Sequence, residues 1–407
     1  MTGNGDIRVR LGASAVINLT GTLTNLGGIS ARPEAIAAAA EILGRGVDMV
    51  ELQAAASRVI AEATGAEAGF ISACSAAGIC MTIAGAMTGD GMAAIERLPD
   101  TSGMKHEVVV QVGHLVNYGH PIEQDIRLTG ARVVSVGSVN ATTQAQLDGA
   151  IGPNTAAALF VVSHHCAPDG QIPIADFVRV CHARGVPVIV DLAAEYDIHS
   201  YLRAGADVTI HSAHKFLGGA TAGVVAGRKD LVRAAFLQNY GIGRPMKVGK
   251  EGIAAAMVAL QAFVAGDREA ERAVLRVPLE HWRKALAGVA GVAAELDPDP
   301  TGNPFDRLRI TVLPGAGFDA VDVVHALEVG TPSIRVRTHQ LAHGSFILDA
   351  RSLGVGELDL VTARLLASIE SARRSRAEGR AGDVQAWKVK HARTMSNWPD
   401  LNGEVAR

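Results

Sequence analysis

His211-Ser-Ala-His-Lys-Phe-Leu-Gly-Gly219 joins a short apolar strand candidate, residues 207–211, to a Gly-Gly turn. A lysine in this position is poorly placed for a solvated side chain, so we expect Lys215 to be buried. Burial lowers the pKa of an amine and favours the neutral form, which can form a Schiff base with an aldehyde. The alternative is a lysine with a buried stem and an ammonium group that reaches solvent.

An aspartate closes the preceding strand candidate, Val186-Pro-Val-Ile-Val-Asp191. Apolar residues that lead into one carboxylate place it at the C-terminal end of a strand, the edge where open α/β sheets bind ligands. Taken alone, Asp191 is as well explained as a helix N-cap. Together with Lys215 at the end of a neighbouring strand, it predicts a binding site.

Short apolar strands alternate with helices on both sides of these two segments. This alternation predicts an α/β fold with a mainly parallel, doubly wound sheet, followed by a smaller α+β domain. The strand candidates of the large domain are 69–72, 108–112, 132–136, 157–163, 186–191, 207–211 and 223–227. We expect an N-terminal arm and helix over residues 1–50, a large domain over 51–250, a small domain over 251–375 and a polar tail over 376–407.

A run of small residues follows another strand in Phe70-Ile-Ser-Ala-Cys-Ser-Ala-Ala-Gly78. The start of the helix that follows presents free backbone N–H groups and a positive dipole end, which suit a phosphate. Ser75, Ala76 and Ala77 are the candidate cradle, and Ser212 could add a hydroxyl. The alternative is a plain tight strand–helix turn.

Histidines follow two further strands. His114, in Gln111-Val-Gly-His114, is a candidate to stack on an aromatic ring, although a lone histidine is often structural. His164 and His165 come after the strand candidate 157–163, and one of them could contact a cofactor or a substrate.

The strand ends thus supply, in chain order, a phosphate cradle, a ring stacker, a histidine pair, an acid and a lysine. This set suits pyridoxal 5'-phosphate (PLP), whose pyridine nitrogen needs a carboxylate beside it to make the ring a good electron sink. No metal site is expected, because the four cysteines form no CxxC pair.

Composition narrows the class of partner. The formal net charge is −3 with no strong basic run, so nucleic acid is an unlikely main partner. The chain has no apolar run long enough for a membrane span and no signal-like N-terminus. We therefore expect a cytoplasmic protein that acts on a small molecule.

The chain resembles the SelA-like branch of fold type I PLP-dependent enzymes, the family of bacterial selenocysteine synthase and D-glucosaminate-6-phosphate ammonia-lyase. The resemblance covers roughly residues 15–370. It rests on Val16-Ile-Asn-Leu-Thr-Gly-Thr-Leu-Thr-Asn-Leu-Gly27, on Ser212-x-x-Lys-x-Leu-Gly-Gly219 and on Leu348-Asp-Ala-Arg351.

The resemblance implies a role for each matching residue. Lys215 would be the Schiff-base lysine and later the base at the substrate α-carbon, with Asp191 at the ring nitrogen. Arg351 would bind the substrate carboxylate, a role for which Arg335 and Arg337 are rivals. The candidates for the general acid and for further substrate contacts are His165, His214 and His164.

Two departures separate the chain from the selenium transferases: the family's opening motif begins near residue 15, with no room before it for a tRNA-binding domain, and His214 precedes the lysine. The segments 98–107 and 111–114 look more like the ammonia-lyases. The resemblance thus implies α,β-elimination of a β-hydroxy α-amino acid, for example a sugar-derived one such as D-glucosaminate-6-phosphate, giving a 2-oxo acid and ammonia. The alternatives are a transferase, racemase or aldolase on the same scaffold, a catalytically silent PLP-fold protein, and an RNA-binding protein.

The resemblance to fold type I enzymes also implies an active site that contains residues of two subunits, so we expect a homodimer or a higher homo-oligomer. The loop Asn239-Tyr-Gly-Ile-Gly-Arg-Pro-Met-Lys247 is the candidate for reaching a neighbour's cofactor phosphate, with Arg244 at its tip. A flexible surface loop is the alternative.

Overall fold

The computed structural model describes residues 6–379 and 382–399, without the side chains of residues 392–395. Within this part, the strands are β1 Val16–Leu19, β2 Ala68–Ser72, β3 Glu107–Gln111, β4 Arg132–Val136, β5 Thr155–Val161, β6 Val188–Asp191, β7 Val208–Ser212, β8 Gly223–Gly227, β9 Val292–Pro298, β10 Asp306–Val312, β11 Ser333–Val336 and β12 Ser345–Leu348. The α-helices are α1 Ile7–Arg10, α2 Pro33–Leu43, α3 Met49–Thr64, α4 Ser75–Thr88, α5 Met92–Arg97, α6 Ile122–Arg127, α7 Gln144–Ala150, α8 Ile174–Ala183, α9 Ser200–Arg203, α10 Lys229–Leu237, α11 Lys250–Ala265, α12 Arg268–Leu286, α13 Ala320–Glu328, α14 Glu357–Ala377 and α15 Val384–Ser396.

The described chain divides into two compact units, one of residues 30–266 and one that joins residues 6–29 to the segment after residue 266. These boundaries differ from those expected at residues 50 and 250. Helices α2 and α11 both pack in the larger unit, in a cluster that includes Ala35, Ala56, Ala256 and Ala259. The Ala-rich composition of α11 allows this close helix packing.

The larger unit is built on a seven-stranded sheet of order β2-β8-β7-β6-β5-β3-β4. The pairs β4–β3, β3–β5, β5–β6 and β6–β7 are parallel, and β8 runs antiparallel to both of its neighbours. The expected mainly parallel sheet is therefore confirmed. Its central strands β5 and β6 are buried along their whole length and mainly apolar, as strands covered on both faces require.

Helices cover both faces of this sheet. On one face, Ile79 and Ile83 of α4 pack with Ile189, Val208 and Ile210 of the strands. The other face packs against α3, α8 and α11 through two further apolar clusters. Because successive side chains of a strand alternate between faces, Asp191 lies on the same side of the sheet as Ile189, the side of α4.

The second unit contains a three-stranded antiparallel sheet of order β12-β10-β9 and a two-stranded parallel pair, β1 with β11. Its core includes Trp282, Leu308 and Phe346. Much of the expected polar tail is helical: α14 ends at Ala377, and Trp387 of α15 donates to Glu328. The last residues of that tail, 400–407, and residues 1–5 of the expected arm lie outside the described part.

None of the described helices has the length and apolar character that crossing a membrane requires.

Candidate active site

Asp191 and Lys215 come from neighbouring parallel strands. Asp191 is the last residue of β6 and is in register with Ile210 of β7. Lys215 lies just beyond the end of β7, in the turn Ala213–Leu217, where its own backbone leaves helical geometry. The topology thus brings the acid and the amine to the same carboxyl edge of the sheet, as the sequence predicted.

Burial shifts both groups toward their neutral forms. Burial lowers the pKa of Lys215, against the opposing charges of Asp191 and Glu195. Asp191 is only 6% exposed. Burial raises the pKa of Asp191 to about 6, although the charge of Lys215 and a hydrogen bond from the Ala193 N–H oppose that rise. The neutral amine, which burial favours here, is the form that attacks an aldehyde.

The turn that carries Lys215 is fixed from both sides. Phe216 and Leu217 are buried, and side chains of this size stabilise a fold by about 1.5–3 kcal/mol each. Arg32 donates its backbone N–H to Gly218 O at 2.8 Å and its Nε to Leu217 O at 2.9 Å. Gly218 has φ +71°, and a Cβ there would also meet Arg32 Cγ at 2.9 Å. Sequence reasoning missed Arg32, because no local pattern connects it to this turn.

The start of α4 follows β2 at the same edge. Its N-cap is Cys74, whose Sγ accepts the Ala77 N–H at 3.4 Å, and Cys74 O accepts the Gly78 N–H. The Ser75 and Ala76 N–H groups precede the first intrahelical hydrogen bonds and remain the natural anion donors. Ala77 is the weakest of the three predicted cradle residues, since its N–H already has a partner.

His114 ends a short 3-10 turn after β3 and is buried. Its Nδ1 accepts the Val161 N–H at 3.1 Å, and its ring stands edge-on to Phe160 at 4.4 Å between centroids. Burial lowers the pKa of His114 to about 4, so the ring is neutral near pH 7. The fixed orientation is compatible with the predicted stacking role, which remains a prediction.

His164 and His165 follow β5, with ring centroids 3.9 Å apart. Both rings are partly exposed, and the His165 N–H donates to Ser163 Oγ at 3.2 Å.

Ser212 and His214 form a buried pair beside the lysine. Ser212 Oγ lies 3.1 Å from His214 Nδ1. Burial and the charge of Lys215 lower the pKa of His214 to about 4. The Ser212 hydroxyl, predicted to contact a phosphate, thus already has a partner on its own turn.

Glu195 is a buried acid that sequence reasoning missed. It follows Asp191 in the loop after β6, and its charge raises the pKa of Lys215. An acid within the apolar run Leu192-Ala-Ala-Glu195 was the available signal.

Arg244 is exposed in the short turn Arg244–Met246. With Lys247, Asn239 and Tyr240 it lines a cavity of about 600 Å³ in the larger unit. The lining described for this cavity contains two cations and no acid, a composition that suits an anion.

Arg351 belongs to the second unit, where it pairs with buried Asp349 through Nε–Oδ1 at 3.0 Å and Nη2–Oδ2 at 2.6 Å. Burial alone would raise the pKa of Asp349, but the charges and hydrogen bonds of Arg351 and Arg307 hold it well below its usual range. The rival Arg337 is also buried, which lowers its pKa to about 10. The other rival, Arg335, pairs with Glu328 at 3.3 Å.

Comparisons with known proteins identify the family to which this chain is similar. The family model SelA, L-seryl-tRNA selenium transferase, matches residues 16–290. D-glucosaminate-6-phosphate ammonia lyase of Salmonella typhimurium is 39% identical over 88% of this chain and 97% of its own length. A 5'-C-glycyluridine monooxygenase-decarboxylase of a Streptomyces species is 34% identical over 87% of this chain and 90% of its own. A solved structure of D-glucosaminate-6-phosphate ammonia-lyase matches with a TM-score of 0.84 and 38% identity, covering 91% of this chain and 100% of that one.

The predicted resemblance and the fold type I architecture are therefore confirmed. With a family model matched over most of its length and two relatives above 30% identity, the chain belongs to the SelA family.

Proposed function

We propose that this chain is a PLP-dependent lyase. It removes the β-hydroxyl and the amino group of a β-hydroxy α-amino acid, a sugar-derived one such as D-glucosaminate-6-phosphate, and releases a 2-oxo acid and ammonia. The observation that carries the proposal is that Asp191 and Lys215 lie at the carboxyl ends of adjacent strands and interact electrostatically. The 39% identity to an ammonia lyase favours this reaction over selenium transfer.

The residues present fit PLP. Lys215 offers an amine that burial drives toward the neutral form, as attachment to the aldehyde requires. Asp191 offers a buried carboxylate for the protonated ring nitrogen, and the Ser75 and Ala76 N–H groups at the start of α4 suit the phosphate. When bound, PLP would supply an electron sink that stabilises negative charge at the substrate α-carbon.

The chain's own residues then handle protons. Lys215 Nζ is the base that takes the α-proton, since its lowered pKa leaves the amine free to accept one. Asp191 holds the proton at the ring nitrogen. The departing β-hydroxyl needs a general acid, and His165 is a better candidate than His214, because burial keeps the latter neutral and bonded to Ser212. Arg351 and His164 remain our proposed substrate contacts, the arginine for the carboxylate.

Product analysis tests the proposed reaction. The purified holoenzyme, given D-glucosaminate-6-phosphate, should release ammonia and a 2-oxo acid in equal amounts. The same amino acid without its phosphate is the matched control for substrate size and charge. A mirror-image amino acid alone would identify a racemase, and an aldehyde product an aldolase. Oxygen consumption with release of carbon dioxide would indicate the chemistry that names the Streptomyces relative. Each of these outcomes would overturn the lyase proposal.

We also propose a homo-oligomer in which Arg244 reaches the cofactor phosphate of a neighbouring subunit. Its exposure and the cation-lined cavity beside it support this role.

We expect Arg244→Ala to weaken PLP binding about tenfold, because one charge-assisted contact is lost. Fluorescence titration of the apoprotein measures the dissociation constant. Arg45→Ala, at an exposed site of α2's C-terminal end, should leave it unchanged. Equal constants for the two variants would contradict the role of Arg244.

A cytoplasmic location completes the proposal. All four cysteines are free thiols, a state that reducing compartments maintain.

A further inference from the structure

A further buried acid, Asp125, interacts electrostatically with Asp191 and takes no part in the mechanism above. His120 Nε2 lies 2.8 Å from Asp125 Oδ1, and the Tyr118 hydroxyl donates to Oδ2 of the same carboxylate. Asp125 is buried, whereas the side chain of His120 is 36% exposed. These three residues, the Asp125 network, connect a buried carboxylate to an imidazole that meets solvent.

The fold places this network beside the proposed site. Tyr118 lies in the loop between β3 and α6, and β3 is separated from β6 in the sheet only by β5. Tyr118 packs against the apolar cluster that contains Ile189 and Val208, on the face where Asp191 lies. The charge of Asp125 raises the pKa of Asp191, and the charge of Asp191 in turn raises that of Tyr118.

Several ionisable groups face these two acids. Lys215, Asp125, Tyr118 and Cys166 interact electrostatically with Asp191. Asp125 meets Tyr118 and His120 through its side chain, and Cys80 Sγ donates to its backbone oxygen at 3.1 Å. Burial raises the pKa of Asp125, while the hydrogen bonds from Tyr118 and His120 oppose that rise.

Two carboxylates in one poorly solvated region repel each other, so ionising one makes ionising the other harder. A protonated His120 cancels the charge of Asp125, and the pair then adds little negative potential at Asp191. A neutral His120 leaves that negative charge uncompensated. The charge of the His120 imidazole can thus change the electrostatic potential at Asp191.

We propose that Tyr118, His120 and Asp125 are positioning residues that set the charge state of Asp191 through the electrostatic interaction between the two buried carboxylates. The proposal rests on the proposed function, because the charge state of Asp191 affects the reaction only if Asp191 contacts the ring nitrogen of the cofactor.

The chain offers a matched control at the opposite end of the same strands. His182 Nε2 lies 2.8 Å from Oδ2 of Asp207, with side chains 43% and 5% exposed, much as in the Asp125 network. Asp207 Oδ2 also accepts the N–H of Val188, the first residue of β6, whereas Asp191 is its last. A change at His182 therefore alters the same kind of pair away from the site.

The test follows the carboxyl of Asp191 by 13C NMR in the cofactor-free protein, with Asp191→Asn to identify its resonance. Asp125→Asn removes the neighbouring charge and should lower the titration midpoint of Asp191 by roughly half a pH unit. His120→Gln removes the compensating cation and should raise the midpoint by a similar amount. His182→Gln should leave it unchanged.

Opposite shifts are the signature that a merely structural role would not produce. If His120→Gln leaves the midpoint where it is, or moves it in the same direction as Asp125→Asn, the proposal is wrong. His120 is partly exposed, so its variant remains informative even if Asp125→Asn fails to fold. Because the measurement uses no cofactor, its failure is distinct from failure of PLP attachment at Lys215, which would overturn the proposed function itself.

Discussion

Lys215→Ala should abolish lyase activity, with a loss of at least about a thousandfold in kcat/KM, or about 4 kcal/mol of transition-state stabilisation. Lys215 has two roles in the proposal, attachment to the cofactor aldehyde and removal of the α-proton, and alanine supplies neither. Borohydride reduction followed by mass spectrometry should find PLP attached to Lys215 of the native protein and none attached to the variant.

Lys215→Arg sharpens this prediction. It keeps a long cationic side chain near Asp191 but provides a group that does not lose its proton, so it should be as inactive as the alanine variant. Lys229→Ala is the control, since Lys229 is exposed at the start of α10 in the same unit. Covalent PLP on a lysine other than Lys215, or substantial activity in Lys215→Ala, would remove the basis of the proposed function.

The edge of the sheet could be predicted from sequence because its signals are local. An apolar run ending in Asp191 and a lysine before Gly218 each mark a strand end, and parallel strands bring their ends to one edge. Alternation of strands and helices then predicted the mainly parallel sheet. Even strand bounds such as Arg132–Val136 and Gly223–Gly227 matched, since turn residues flank them.

The contacts between distant segments could not be predicted in this way. Arg32 bonds to the turn of Lys215 across a separation that no periodicity connects. The Asp125 network is closer in sequence, with Tyr118 seven and His120 five residues before Asp125, but its hydrogen bonds depend on the shape of the turn that leads into α6. β9 and β11 lack a continuous apolar run, because each strand is partly exposed or short, and sequence patterns overlooked them.

The bounds of the two compact units could not be predicted from composition, for a related reason. The composition becomes Ala-rich at α11, yet the small side chains of that helix allow it to pack against α2 within the larger unit. Strand β1 pairs with β11, which lies more than 300 residues later in the chain. Amino-acid composition does not show which helix packs against α11 or which strand pairs with β1.

The cofactor-free protein should lose stability steeply as the pH falls from 6.5 toward 4. Burial lowers the pKa of His114, His211 and His214 to about 4 each. In the unfolded chain these side chains titrate near 6.5, so between these values the unfolded state binds more protons and unfolding is favoured. Each histidine should cost about 1.4 kcal/mol per pH unit in that window.

Two acids act in the opposite direction. The raised pKa of Asp191, about 6, and that of Asp125 mean that the folded state binds their protons first, which returns part of the loss below pH 6. Three histidines against two acids still leave a net loss. Urea unfolding of the apoprotein between pH 7.5 and 5 should therefore show a falling midpoint at a nearly constant m-value.

A variant of His211 tests the contribution of a single histidine to the pH dependence of the free energy of unfolding. It lies on β7, pointing away from the α4 face, and both of its ring nitrogens are buried, while a backbone hydrogen bond with Leu192 opposes part of the fall in its pKa. His211→Leu removes its titration and should make the fall of stability with pH shallower by about one proton, without moving the Asp191 midpoint. A slope that His211→Leu leaves unchanged would mean that this imidazole takes up its proton in the folded state as easily as in the unfolded chain, and the stability argument from burial would fail.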